Sequence, residues 1–205
     1  MIKFENIYVK KKNKVVLNHL SGEIHEGDKI LITGPSGSGK TTFLKTLLFF
    51  DYPQTAEITL NNQKVGKKHI HNYRALFGYI GQNPPAFTGK TSSLMHLMVR
   101  NIDAKEEKLH TFMDFFSLDP ALLENPFLSL SNGEKQRINI IISLLLDRKI
   151  YLLDEITSNL DPDNVQKTIQ CFTRDDLTCL IVSHQKEWQT LATRHWILNK
   201  TLTEK

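Results

Sequence analysis

The sequence contains only two cysteines, Cys171 and Cys179, and no CxxC pair. Two such thiols offer neither a disulfide framework nor a thiolate metal site. No apolar run reaches membrane-spanning length. The richest stretch, Ile138 to Leu146, is interrupted by Asn139 and Ser143 and stops at Asp147-Arg148. The opening residues Met1-Ile2-Lys3-Phe4-Glu5 lack the charged-then-apolar order of a signal peptide. These absences lead us to expect a cytoplasmic protein. Any work at a membrane would use a span supplied by another chain. No internal repeat or low-complexity segment is visible.

The net charge is +4, and its visible cluster is Lys10-Lys11-Lys12-Asn13-Lys14, set between two apolar segments. A solvated turn accounts for it, and no aromatic residues interleave with the lysines as a single-strand-binding platform would need. No nucleic-acid partner is expected.

With 205 residues, 40% of them hydrophobic, the chain is long enough for one sizeable domain or a domain with a small insert. Ile2 to Val9 reads as a strand, as do Val15-Val16-Leu17 and Leu20 to Ile24. Lys29 to Thr33 is a short apolar strand, and Thr41 to Phe50 is helical. Glu57 to Leu60 and Leu76 to Gly81 are further strands. From Ser92 to Leu130 the spacing of Leu94, Leu97, Met98, Leu109, Phe112, Met113 and Phe116 is helical, suggesting an insert. Ser131, with Glu134 three positions on, has the form of a capping box opening another helix. Ile150 to Leu153 and Leu177 to Val182 are apolar strands, with a helix over Val165 to Phe172 between them. Short apolar strands alternating with helices predict an α/β fold with a buried, mostly parallel sheet.

Gly34-Pro35-Ser36-Gly37-Ser38-Gly39-Lys40-Thr41 satisfies GxxxxGK[ST]. Glycines let the backbone curl so that successive N–H groups face a polyphosphate, and the next helix adds its positive end. Lys40 is placed for the β- and γ-phosphates and the Thr41 hydroxyl for Mg²⁺. A GTPase would also need an Asn-Lys-x-Asp reader. The nearest string, Asn199-Lys200-Thr201-Leu202, has Leu where the Asp belongs.

Asp154 closes an apolar strand and suits the Mg²⁺ shell, while the adjacent Glu155 points differently and suits the attacking water. His184, after the strand Leu180-Ile181-Val182, is a candidate for the γ-phosphate or that water. Gln82, before Asn83-Pro84-Pro85, offers an amide to metal or water.

In this order and spacing the motifs resemble the ABC ATPases. Leu130-Ser131-Asn132-Gly133-Glu134-Lys135-Gln136-Arg137 resembles the LSGGQ-type signature, and Leu152-Leu153-Asp154-Glu155 resembles Walker B. Ser158-Asn159-Leu160-Asp161 is similar to the D-loop, Gln82 to the Q-loop glutamine and His184 to the switch histidine. The resemblance implies a P-loop NTPase (RecA-like) core at 1–82 and 135–205, with an antiparallel β portion at its start. It also implies a helical subdomain at 83–134. Lys40, Glu155 and His184 would be catalytic. Gly34, Pro35, Ser36, Gly37, Ser38, Gly39, Lys40, Thr41, Thr42, Gln82, Ser131, Gly133 and Asp161 would contact ATP. Thr41, Gln82 and Asp154 would hold Mg²⁺.

It further implies head-to-tail pairing of two cassettes around two ATPs, with Ser131 and Gly133 meeting the phosphate bound by the partner. Transmembrane permease subunits would convert that cycle into transport, with this chain peripheral on the inner face of the membrane. The run Gln82 to Thr91 and the string Leu153-Asp154-Glu155-Ile156-Thr157-Ser158 are similar to small bacterial export ATPases, including an iron-efflux type. A soluble ABC ATPase acting on nucleic acid or ribosomes is the alternative. Two departures stand out. Asn132 replaces a glycine, and Asn tolerates a left-handed backbone. Lys11 or Lys12 falls where the adenine-stacking aromatic is usual, with Tyr8 a few residues early.

Overall fold

The computed structural model describes residues Met1–Lys205. The chain opens with a long hairpin, β1 (Ile2–Lys11) and β2 (Lys14–Ile24), turning through Lys12 and Asn13 in left-handed conformation. The two short strands expected around Asn18 are one strand. Its irregularity is absorbed by left-handed residues, Asn6 on β1 and His19 on β2. The apolar β3 (Lys29–Thr33) follows and runs into the glycine loop, then α1 (Lys40–Leu47).

Helix α1 ends before the expected Phe50. Phe49 is left-handed (φ 54°), and the Phe50 N–H reaches back to the Lys45 carbonyl while that of Phe49 reaches Thr46. This double closure caps a helix C-terminus, here with a phenylalanine where glycine is usual. Next come β4 (Thr55–Leu60), β5 (Gln63–Lys64), α2 (Ile70–Arg74) and β6 (Phe77–Ile80).

The helical stretch expected over Ser92 to Leu130 is broken rather than continuous. It holds α3 (Thr91–Met98), α4 (Glu106–Phe115) and 3-10 turns at Ile102–Lys105, Pro120–Leu123 and Phe127–Ser129. Extended Val99 and left-handed Asn101 interrupt the helical backbone. Helix α5 (Asn132–Leu145) then runs unbroken and is followed by β7 (Ile150–Asp154). The chain finishes with α6 (Pro162–Gln170), β8 (Thr178–Val182), β9 (Arg194–Asn199) and β10 (Thr201–Glu204).

Two sheets result. One is antiparallel, in the order β2-β1-β4-β5; the other runs β10-β9-β3-β8-β7-β6 and is parallel except at β10. The central strands of the larger sheet divide their side chains between two cores. Ile30, Ile32, Leu180 and Val182 join a cluster beneath α1 and the antiparallel sheet. Leu31, Cys179, Ile181 and Leu153 face the other way, into a cluster with α3, α4, α5 and α6. Strands buried on both faces explain the near-continuous apolar runs in the sequence. The helical stretch has no core of its own, because Leu94, Met95, Leu109 and Met113 join that second cluster. No helix is long and apolar enough to cross a membrane.

Candidate functional site

In the parallel sheet β3, β8 and β7 are neighbours, so the segments following them open at one end of the sheet. That brings together the loop after β3, the pair closing β7 and the residues after β8. The phosphate loop has φ +153° at Gly34 and +73° at Gly37. A Cβ on Gly34 would collide with the Leu198 carbonyl of β9, so glycine is needed there for space as well as for backbone angle. Lys40 is nearly buried, and its ammonium donates to the Gly34 and Pro35 carbonyls at 2.9 and 3.1 Å. The Ser38 hydroxyl is buried without a partner. A loop whose lysine spans its own carbonyls and whose hydroxyl lacks an acceptor fits a phosphate.

Thr41 donates to Asp154 Oδ1 at 3.1 Å, and the Tyr79 hydroxyl donates to Oδ2 at 3.3 Å. Burial pushes the Asp154 carboxyl above its ordinary range, against the pull of these two hydroxyl donors. A buried carboxylate with only neutral partners favours a cation beside it. The donors here are a hydroxyl, a carboxylate and a nearby amide, all oxygen, which suits Mg²⁺. No group of three or more His, Cys, Asp and Glu side chains is positioned as a metal cage. A cavity of about 370 Å³ opens beside them, lined by Thr41, Tyr79, Gln82, Asn139 and Asp154.

Glu155 adopts φ 51°, a conformation uncommon for its type, and its N–H donates to the Val182 carbonyl at 2.9 Å. This turn aims its carboxylate away from Asp154. One oxygen lies 3.4 Å from Gln82 Nε2 and the other 3.7 Å from His184 Nε2. Gln82 therefore contacts Glu155, and it also lines the cavity beside Asp154.

Ser131 and Gly133 stand apart from this constellation and share no hydrogen bond with the phosphate loop. Ser131 caps α5 as expected: its Oγ accepts from Glu134 N–H at 3.2 Å, and Glu134 accepts the Ser131 N–H at 2.8 Å. Gly133 faces the Asn159 carbonyl. Asp161 caps α6, accepting from the Asn164 backbone at 3.0 Å and its side chain at 2.7 Å. Asn132 is the first residue of α5 with ordinary helical geometry, so its tolerance of left-handed backbone is not used. Tyr8 lies on the outer side of β1, between inward-facing Ile7 and Val9, and stacks on His19 at 5.0 Å. Lys11 pairs with Asp51 at 2.7 Å.

Other functional contacts were not legible from residue type. Tyr79 reaches Asp154 only because β6 lies beside β7. Thr157, Gln185 and buried Trp188 form a hydrogen-bonded group, with Trp188 Nε1 donating to Thr157 Oγ1 at 3.0 Å and Gln185 Nε2 donating to the Thr157 carbonyl at 3.2 Å. It joins the segment after Glu155 to the segment after His184. Period-two patterning in β6 was the only signal for Tyr79; none existed for the other three.

A phosphate loop at the end of a parallel sheet, beside an Asp-Glu pair and a histidine, defines a P-loop ATPase. The model of the family described as "ABC transporter" matches residues 17–158, well over half of the chain. This chain belongs to the ABC transporter family, as an ATP-binding cassette.

Among its relatives is the "Probable iron export ATP-binding protein FetA" of Escherichia coli (strain K12). It is 31% identical over 193 residues, which cover 91% of this chain and 86% of that one. The "Lactococcin-A transport/processing ATP-binding protein LcnC" of Lactococcus lactis subsp. lactis is 32% identical over 83% of this chain. This chain spans only 25% of that longer relative. Among solved structures, a dimeric bacterial ABC transporter cassette superposes with a TM-score of 0.86 at 23% identity, covering 100% of this chain and 98% of that one. At that identity the likeness speaks for the fold.

Proposed function

We propose that this chain is the ATP-hydrolysing subunit of a bacterial ABC exporter, working as a head-to-tail pair around two ATP molecules. The observation that carries this reading is the placement of Glu155. Its carboxylate sits between Gln82 and His184, beside but turned away from the Thr41–Asp154 pair. In this reading Gly34 to Thr42 hold the phosphates, and the Lys40 ammonium transfers from its own loop carbonyls to the β- and γ-oxygens. Glu155 orients the attacking water and accepts its proton. His184 and Gln82 position Glu155 and report whether the γ-phosphate is present.

Thr41, Asp154 and Gln82 would hold Mg²⁺. When bound, the ion neutralises charge on the phosphate oxygens.

The signature supplies the other half of the site. Helix α5 is 14 residues long, and its N-terminus at Ser131 and Gly133 carries the positive end of its dipole. No anion of the same chain lies against it except the capping Glu134. A second subunit's γ-phosphate would occupy that end, and Asp161 would lie beside it at the seam. The core at 1–82 and 135–205 would carry the phosphate loop, and the helical portion at 83–134 would carry the signature toward the partner.

Exposed Met98 lines the cavity at Tyr79 and Gln82, and exposed Phe50 meets the Tyr79 ring edge-on at 6.4 Å. Apolar side chains so exposed fit a docking surface for transmembrane permease subunits. The chain would then be peripheral on the inner face of the membrane. The relative named for iron export supports that direction and makes iron the first cargo to test.

Magnesium-dependent phosphate release, measured beside size-exclusion chromatography of Glu155→Gln with ATP, tests the reading. Turnover by wild type together with an ATP-dependent dimer of the variant is expected. A variant that stays monomeric at saturating Mg-ATP overturns it.

A further inference from the structure

A second cavity, of about 490 Å³, lies at the other end of β7 from Asp154. At about 3.3 Å per residue, β7 separates the two ends by roughly 17 Å. The cavity opens between the C-terminal ends of α5 and α6, whose N-terminal ends carry Ser131 and Asp161. None of its residues serves the ATPase chemistry described above.

Its floor is apolar and partly aromatic, with Phe112, Leu144, Tyr151 and Leu177. Its walls are cationic, with Lys108, Arg148, Lys149 and Arg174 against a single lining acid, Asp147. The acids nearby are each shared between two cations. Asp147 takes Lys108 at 2.6 Å and Lys105 at 3.5 Å, while Asp176 takes Arg174 at 2.8 Å and also Lys149. Within these ion pairs and the cavity lining, five cations, Lys105, Lys108, Arg148, Lys149 and Arg174, stand against two acids. Arg148 has no acid at all, and its Nε is buried without any hydrogen-bond acceptor. A guanidinium nitrogen removed from water without an acceptor is costly, and an anionic oxygen is its best partner. Helix C-termini attract cations unaided, which accounts for Lys105 at the Leu145 carbonyl. That attraction does not account for the half-buried Arg148, whose Nε is closed off from solvent without a partner.

We propose that this cavity binds a small organic phosphate, with its anionic group on Arg148 and Arg174 and its apolar body against the partly exposed Phe112. The volume suits a ligand of ordinary metabolite size. An occupant would tie the far ends of α5 and α6 together, and so touch both helices that carry the inter-subunit seam.

Phenyl phosphate is the probe. Calorimetric titration into wild type, Lys40→Ala and Arg148→Ala separates this cavity from the phosphate loop. Binding should persist in Lys40→Ala and weaken at least tenfold in Arg148→Ala. Inorganic phosphate and phenol should each bind at least tenfold more weakly than phenyl phosphate. Absence of binding, loss confined to Lys40→Ala, or equal binding of inorganic phosphate overturns the proposal. A second readout needs no variant. Cys171 lines the cavity, and burial pushes its thiol up to about 12, so its alkylation at high pH is slow but measurable by peptide mass. Phenyl phosphate should slow that alkylation several-fold; an unchanged rate counts against an occupant.

Discussion

Glu155 and His184 face each other across 3.7 Å, Oε1 to Nε2, at the ends of neighbouring strands β7 and β8. Gln82 approaches the same carboxylate from β6, so three adjacent strands deliver one amide, one acid and one imidazole to one point. In the proposed function these two partners are the ones that a bound γ-phosphate and its water would displace or recruit.

Glu155→Gln keeps the shape and hydrogen-bonding reach of the side chain and removes its basicity. Turnover should fall about 10²- to 10⁴-fold, the usual worth of a positioned general base. ATP affinity, read by equilibrium dialysis, should stay within a few-fold of wild type. A comparable fall in affinity would mean that Glu155 holds nucleotide rather than water.

Asp154→Asn should raise the Tm of the nucleotide-free protein by a few degrees while abolishing magnesium-dependent turnover. The carboxyl is held above its ordinary range by burial, so folding favours its protonated form. Its destabilising effect is absent below the ordinary carboxylate range. The effect sets in as pH rises through that range and is complete above the folded value. Scanning calorimetry in chelator should therefore show the variant's advantage at neutral pH shrinking as pH falls. An advantage that stays constant with pH would refute the argument.

Ser131 has two separable tasks, capping α5 within its own chain and meeting a partner's phosphate. Ser131→Ala should cost about 1 kcal/mol as a lost cap, or about 2–4 °C in Tm for a domain of this size. Ser131→Asp keeps a good capping group, so its Tm should match wild type, but its charge opposes phosphate and should abolish the ATP-dependent dimer. The hydroxyl and N–H of Ser131 hold the Glu134 carboxyl below its ordinary range. That contribution is present above the ordinary carboxylate range and lost as pH falls through the lower folded value. Ser131→Ala should thus show a shallower acid-side loss of stability than wild type.

Gly34→Ala and Gly37→Ala should differ sharply. At Gly34 the new Cβ strikes the Leu198 backbone, so β9 must shift and ATP binding should be lost along with much of the stability. Around Gly37 nothing lies within 4 Å, leaving only the left-handed backbone, a cost of roughly 1–2 kcal/mol. Similar Tm losses in both would show that steric contact with β9 is not what fixes Gly34.

Tyr8→Ala should leave ATP affinity within about twofold. Its ring is committed to His19 on the outer face of the antiparallel sheet. Near the end of the phosphate loop, Gly39 abuts the aliphatic Val16 and Leu17 instead. A tenfold loss on Tyr8→Ala, measured with a fluorescent ATP analogue, would return the aromatic ring to the site.

Where the signal is local, sequence and structure agree closely. The glycine loop is legible from its own residues and from the strand and helix that flank it. The capping box spans three positions and forms as read. Reading failed where the cause was distant or competing. Helix α1 stops early because Phe49 takes a left-handed turn, an uncommon choice for phenylalanine. The stretch from Ser92 to Leu130 keeps a helical rhythm but breaks at Val99 and Asn101, where burial of Val99 competes with continuing the helix.

From sequence alone came the class of chemistry. A GxxxxGK[ST] loop after an apolar strand, an Asp-Glu pair after another and the signature at Ser131 are short-range patterns, each set by residues a few positions apart. Tertiary structure alone decided which of these groups touch. Gln82 and Glu155 are 73 residues apart, and Tyr79 and Asp154 are 75. They meet because buried parallel strands β6, β7 and β8 stack side by side, an order that alternating apolar runs permit but do not specify. For the same reason Arg148 and Arg174 share a cavity that no motif announces: helix packing brings distant chain segments together, and no spacing in the sequence records it.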